Sequence, residues 1–101
     1  MIRYVDTMER ICEAVNHSFG RDVKVRSRRF AAMQAKKAFV YITVTGGFSQ
    51  AAVAEYMGCN RSSVYHLLHS AHDLMIVNRA FACAVKRIIK KLDDELEAVA
   101  V

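Results

Sequence analysis

No proline interrupts this 101-residue chain, and its four glycines fall at only three places: Gly20, the pair Gly46-Gly47, and Gly58. Proline breaks a helix by removing a donor and clashing with the turn before it, and glycine loosens one. A chain so nearly free of both, with apolar residues recurring at three- and four-residue steps between the glycines, is expected to be all helical with short connections. At this length it makes one domain, residues 1–101, and not two. Hydrophobic residues make up 53% of it, enough for a packed core. No apolar run approaches the ~18 residues that would suggest a membrane span.

The first helix is expected to start near Asp6, with Asp6 as its cap and Glu9 in the capping-box position. Met8, Ile11, Cys12, Val15 and Phe19 form its apolar face, and Gly20 ends it. A loop, Arg21 to Arg29, leads to a second helix capped by Ser27 and running from about Arg28 to Val44, with Ala32, Ala35, Phe39 and Ile42 turned inward. Its last part, Phe39 to Thr45, is β-branched and aromatic and on propensity alone would suit a strand. The continuing stripe and the lack of a partner strand assign it to the helix. Two short helices follow around Gly58. Ser49 caps the first, which carries Ala51, Val53, Ala54 and Met57. The second buries Val64, Leu67, Leu68 and Ala71, and turns Ser62, His66, His69 and Asp73 outward with Tyr65 at the flank. A last helix runs from the cap Asn78 to about Val99, with the stripe Phe81, Val85, Ile88, Leu92, Leu96 and Val99. Together these make an all-α fold, a compact bundle of about five helices with a central helix-turn-helix.

Charge is concentrated rather than spread. The net charge is +5, yet residues 21–40 hold Arg21, Lys24, Arg26, Arg28, Arg29, Lys36 and Lys37 against the single acid Asp22. A local positive field of this kind attracts a polyanion, nucleic acid first and an acidic membrane surface second. Arg29 and Lys36 lie two helical turns apart on one side, so a basic loop and helix edge can follow a phosphate backbone. In a helix docked in the major groove, the N-terminal residues of the second helix of the pair meet base edges. Arg61 suits a bidentate contact to guanine, and Ser62 or Ser63 suits bases or phosphates. The candidate DNA-binding residues are therefore Arg26, Arg28, Arg29, Lys36 and Lys37 on one side, and Asn60, Arg61, Ser62, Ser63, Tyr65 and His66 on the other.

Other chemistry has less in its favour. Cys12, Cys59 and Cys83 are widely spaced, odd in number and form no CxxC pair, which fits a reduced, cytoplasmic setting. Residues 1–15 carry Asp6, Glu9 and Glu13, unlike a signal peptide. His66, His69 and Asp73 share one helix face, but no fourth ligand is evident, so no metal is expected and no cofactor either. Without a nucleophile motif or a phosphate-cradling glycine loop, the chain is not expected to be an enzyme. In the last helix Lys86, Arg87, Lys90 and Lys91 precede Asp93, Asp94, Glu95 and Glu97, an order that opposes the helix dipole. These charges look placed for partners, for solubility or for a second subunit. The apolar stripe of that helix either clamps the helix-turn-helix onto the first helix or forms part of a homodimer seam, and the clamp is the expected role in so small a domain. The alternative to DNA binding is a protein-interaction module that uses this stripe.

Two stretches carry a family resemblance. Arg26-Ser27-Arg28, followed by Ala35-Lys36-Lys37-Ala38-Phe39-Val40-Tyr41-Ile42, is similar to the basic loop and A-R-Q-I-A-M-Y-L helix of the C-terminal DNA-binding domain of the bacterial chromosomal replication initiator, DnaA. Val53-Ala54-Glu55-Tyr56-Met57-Gly58 is similar to its I-G-x-x-F-G. The signature D-H-T-T-V-L-H falls on Asn60-Arg61-Ser62-Ser63-Val64-Tyr65-His66, with one residue fewer before it. The resemblance spans about Ile11 to Leu92. It implies that family's helix-turn-helix fold, of Trp-repressor-like type, a groove-docked helix near 60–66, and contacts from Arg26 and Arg28 to an adjacent minor groove. Asn60-Arg61 replaces the Asp-His that reads bases there, so the family's recognition sequence is not carried over. The family's ATPase module is missing. The resemblance therefore implies a free-standing relative of phage or mobile-element kind, a small regulator, or a fragment, acting in replication or transcription control.

Overall fold

The computed structural model describes the backbone of residues 4–20 and 30–100 and the side chains of 7–20 and 32–94. Five helices follow in order: α1 (Tyr4–Phe19), α2 (Phe30–Thr45), α3 (Gln50–Met57), α4 (Arg61–Val77) and α5 (Arg79–Ala100). The all-α bundle expected from the sequence is what the chain forms, and the described residues include no strand.

The helix ends follow from local chemistry. α2 closes with the Phe48 amide donating to the Thr43 carbonyl and the Gly47 amide to that of Val44, each at 3.1 Å. That pairing needs a positive φ at the residue just past the helix, and Gly47 supplies one of 110°. The same closure ends α3, where Cys59 donates to Ala54 and Gly58 stands at φ 72°. Ser49 caps α3 by accepting from the Ala52 amide at 3.1 Å. Asn78 does double duty. Its amide closes α4 onto Leu74, and its side-chain oxygen accepts from the Phe81 amide at 3.0 Å to open α5. It stays in the extended region, so α4 turns into α5 without a glycine.

Two boundaries depart from expectation, and a third falls outside the described residues. α1 is already helical at Tyr4, which puts Asp6 inside the helix and not at its cap. Nothing in Tyr4-Val5 breaks a helix, so it propagates past the acid. α2 is described from Phe30 onward, and the expected start at about Arg28 and its cap Ser27 lie outside the described residues. α4 has 17 residues and is not short, because no proline or glycine stops it before Asn78.

α2 is the hub. It packs against all four other helices, while α5 lies between α1 and α4, and α3 lies beside α4. Ala32, Ala35, Ala38, Phe39, Val40, Ile42 and Thr43 are all buried. The β-branched run stays helical because neighbours enclose it, and the buried Thr43 hydroxyl donates back to the Phe39 carbonyl at 2.8 Å. α1 contributes Met8, Ile11, Cys12 and Val15 to the core, α3 Val53 and Ala54, α4 Val64 and Ala71. Phe81, Val85 and Ile88 of α5 close it, and Phe19 at the end of α1 meets Phe81 at a ring separation of 6.1 Å. α5 therefore clamps α4 onto α1, as the stripe suggested.

Candidate nucleic-acid interface

Burying Ala35, Ala38 and Phe39 leaves Met33, Lys36 and Lys37 half-buried on the flank of α2 that borders the α3–α4 turn. There a groove of about 720 Å³ opens between α2 and α4. Its apolar lining comes from Met33, Met57 and Leu67. Its polar lining is Lys36 and Lys37 from α2, Asn60 at the turn, and Ser63, His66 and Ser70 from α4. Five of the sequence-predicted residues are thus brought to one concave surface: Lys36, Lys37, Asn60, Ser63 and His66.

Arg61, Ser62 and Tyr65 do not line this groove. All three are exposed on α4, outside its buried Val64–Ala71 face. Tyr65 lies against His69, with ring centroids 4.4 Å apart and an interplanar angle of 57°, and meets His66 nearly edge-on at 5.6 Å. Arg26, Arg28 and Arg29 fall outside the described residues. The sequence reading missed Met33, Ser70 and the Tyr65–His69 contact. The last had a signal, since residues four apart meet on a helix surface.

The start of α4 differs from those of α3 and α5. Asn60 has the extended backbone of a cap, but its side chain makes no capping hydrogen bond. Its amide group is therefore open to a ligand, beside the backbone N–H groups of a helix N-terminus, which favour anions.

Cys59 lines the same groove. Burial pushes its thiol pKa up, opposed by the nearby charge of Lys36. A thiol held protonated in this way is a poor nucleophile. Tyr56, one turn before, is pushed up to about 12, first by burial and then by Cys12, with which it shares a hydrogen bond, and by Glu9 and Glu13. Half-buried, it packs against the core, its ring tilted on that of Phe39 at a centroid separation of 5.6 Å. Among the described residues no group of three or more His, Cys, Asp or Glu side chains is placed to hold a metal ion, so His66, His69 and Asp73 share a face without converging. Among the same residues no helix is long and apolar enough to cross a membrane. In α5, Phe81, Val85 and Ile88, the first half of the apolar stripe, are buried in the chain's own core.

Fold and site together define an all-α bundle in which a three-residue turn, Gly58 to Asn60, joins two helices beside a lysine-lined groove. Comparison with protein-family models, with curated proteins and with solved structures yields no match to this chain.

Proposed function

We propose that this chain is a sequence-specific double-stranded DNA-binding protein and not an enzyme, with α4 laid in the major groove. The observation that carries this reading is the groove itself, where two lysines of α2 face the N-terminal half of α4. A duplex that presents base edges to Arg61, Ser62 and Tyr65 runs a phosphate strand past the α3–α4 turn, where Lys36, Lys37 and the open Asn60 amide stand. The lysines supply affinity and register. Arg61 and its neighbours supply discrimination between bases. Arg26, Arg28 and Arg29 add positive charge just before α2 and suit the phosphate backbone or an adjacent minor groove. Replication or transcription control is the setting that suits such a protein, and the likeness to the replication-initiator domain belongs to this same reading.

The test is a selection of duplexes from a random pool by the purified chain, followed by binding to the enriched site across a range of salt concentrations. Enrichment of one motif and affinity that falls steeply with salt are expected. A pool that stays random, or binding indifferent to salt, would sink the reading.

A further inference from the structure

The outward face of α5 points to a second partner, and it does so independently of the DNA reading. Burial of Phe81, Val85 and Ile88 fixes the rotation of the helix, so its opposite side faces solvent. There Cys83, Arg87, Lys90 and Asp94 are all exposed. Their spacings of four, three and four residues align them along one side of the helix. Glu97 is the next position in that register. Two neighbouring charges look toward α1 instead. Lys91 borders a hollow with Glu13 and His17, and Asp93 borders another with Thr7 and Thr45. Arg87, Lys90 and Asp94 border neither, and among the described residues none of the three makes an ion pair.

The signs on this seam are ordered, with Arg87 and Lys90 positive and Asp94 and Glu97 negative. Consider a two-fold axis through position 92. An antiparallel copy then sets Arg87 opposite Glu97 and Lys90 opposite Asp94, and the symmetry repeats both pairs. A parallel copy sets like charge on like. The pattern is thus complementary to itself in one orientation only. We infer that a second copy of this chain docks antiparallel along the outward face of α5. Arg87, Lys90 and Asp94 are charged and solvent-exposed, so the dimer is weak and sensitive to salt.

Sedimentation of nuclease-treated protein, with no DNA present, tests this. Raising salt from about 50 to about 500 mM is expected to weaken association at least about tenfold, because solvent-exposed pairs are screened. The variant R87E/K90E carries an all-acidic seam, and D94K/E97K an all-basic one. Each alone is expected to be monomeric, and an equimolar mixture to form a heterodimer. Helical circular dichroism verifies folding, and the single changes K90E and D94K repeat the test should a double variant misfold. A monomer at every concentration, a dimer indifferent to salt, or self-association of either variant at the parent's strength overturns the inference. Cys83 reports orientation. An antiparallel pair holds the two Cys83 residues about 27 Å apart along the axis, at ~1.5 Å per residue. Rapid Cys83–Cys83 cross-linking by oxidant would therefore rule out this arrangement.

Discussion

Changing Lys36 and Lys37 together to glutamine removes two cations from the groove between α2 and α4. Both side chains are half-buried, and glutamine keeps most of the stem that packs there, so the fold is expected to survive. Each cation that closes on a phosphate releases condensed counterion, and each contact contributes about 0.9 to the slope of log affinity against log salt. The double variant is expected to lose about 1.8 from that slope. Between about 50 and about 200 mM salt, one such contact accounts for a ~3.5-fold change in affinity and the two together for about 12-fold. Fluorescence anisotropy of a labelled duplex, titrated at several salt concentrations, reads the slope directly. The loss should fall alike on preferred and unrelated sequences, because phosphate contacts carry no base information. An unchanged slope would refute the assignment of these lysines to phosphate. A loss confined to the preferred sequence would refute the division of labour between α2 and α4.

Arg61→Ala should do the opposite: about 1–3 kcal/mol lost at the preferred site, relaxed choice of base at one position, and little change on random duplex, read by competition binding. Among the helix caps, Ser49→Ala should lower stability by about 1 kcal/mol in urea unfolding, because it removes the acceptor for the Ala52 amide. Asn60→Ala should cost much less, since no capping bond is lost; equal costs would contradict the cap geometry. For Tyr56 the sign follows from a pKa raised to about 12. The unfolded tyrosine ionises near ~10 while the folded one stays neutral, so stability is intact below that pH and drains as pH rises toward 12. The urea midpoint of Tyr56→Phe should accordingly fall less between neutral pH and pH ~11 than that of the parent, and equal falls would mean that burial does not hold this hydroxyl neutral.

Much of the fold was legible because its signals are local. Ser49 and Asn78 cap where the sequence places them, Gly47 and Gly58 end helices where a positive φ is required, and the stripes of α1 and α5 repeat cleanly. The failures are local too. Asp6 has cap chemistry, but a cap works only where the chain leaves the helix, and Tyr4-Val5 gives it no reason to leave. The central place of α2 had no signature. Its buried residues, Ala35, Ala38, Phe39, Val40, Ile42 and Thr43, spread round the helix, and a helix buried on most sides loses the one-sided pattern that reveals amphipathic helices. Its strand-like run is decided by that enclosure and not by propensity.

The site divides along the same line. The outward face of α4 follows from the periodicity of one helix, and Arg61, Ser62, Tyr65 and His66 are exposed on it. The groove does not follow from any one stretch, because its two walls come from elements joined only through the core. Lys36 and Lys37 lie between Ala35 and Ala38, both fully buried, and Ser63 directly precedes the fully buried Val64, with His66 two residues beyond it. The small alanine side chains leave room for the backbone of α2 to sit close to its neighbours, and that approach sets where the two ammonium groups stand relative to α4. Lys36 and Lys37 thus share one surface with the α3–α4 turn because α2 carries charge on its flank and core elsewhere. The packing of Ala35, Ala38 and Val64 therefore sets the shape of this groove as directly as the lysines set its charge.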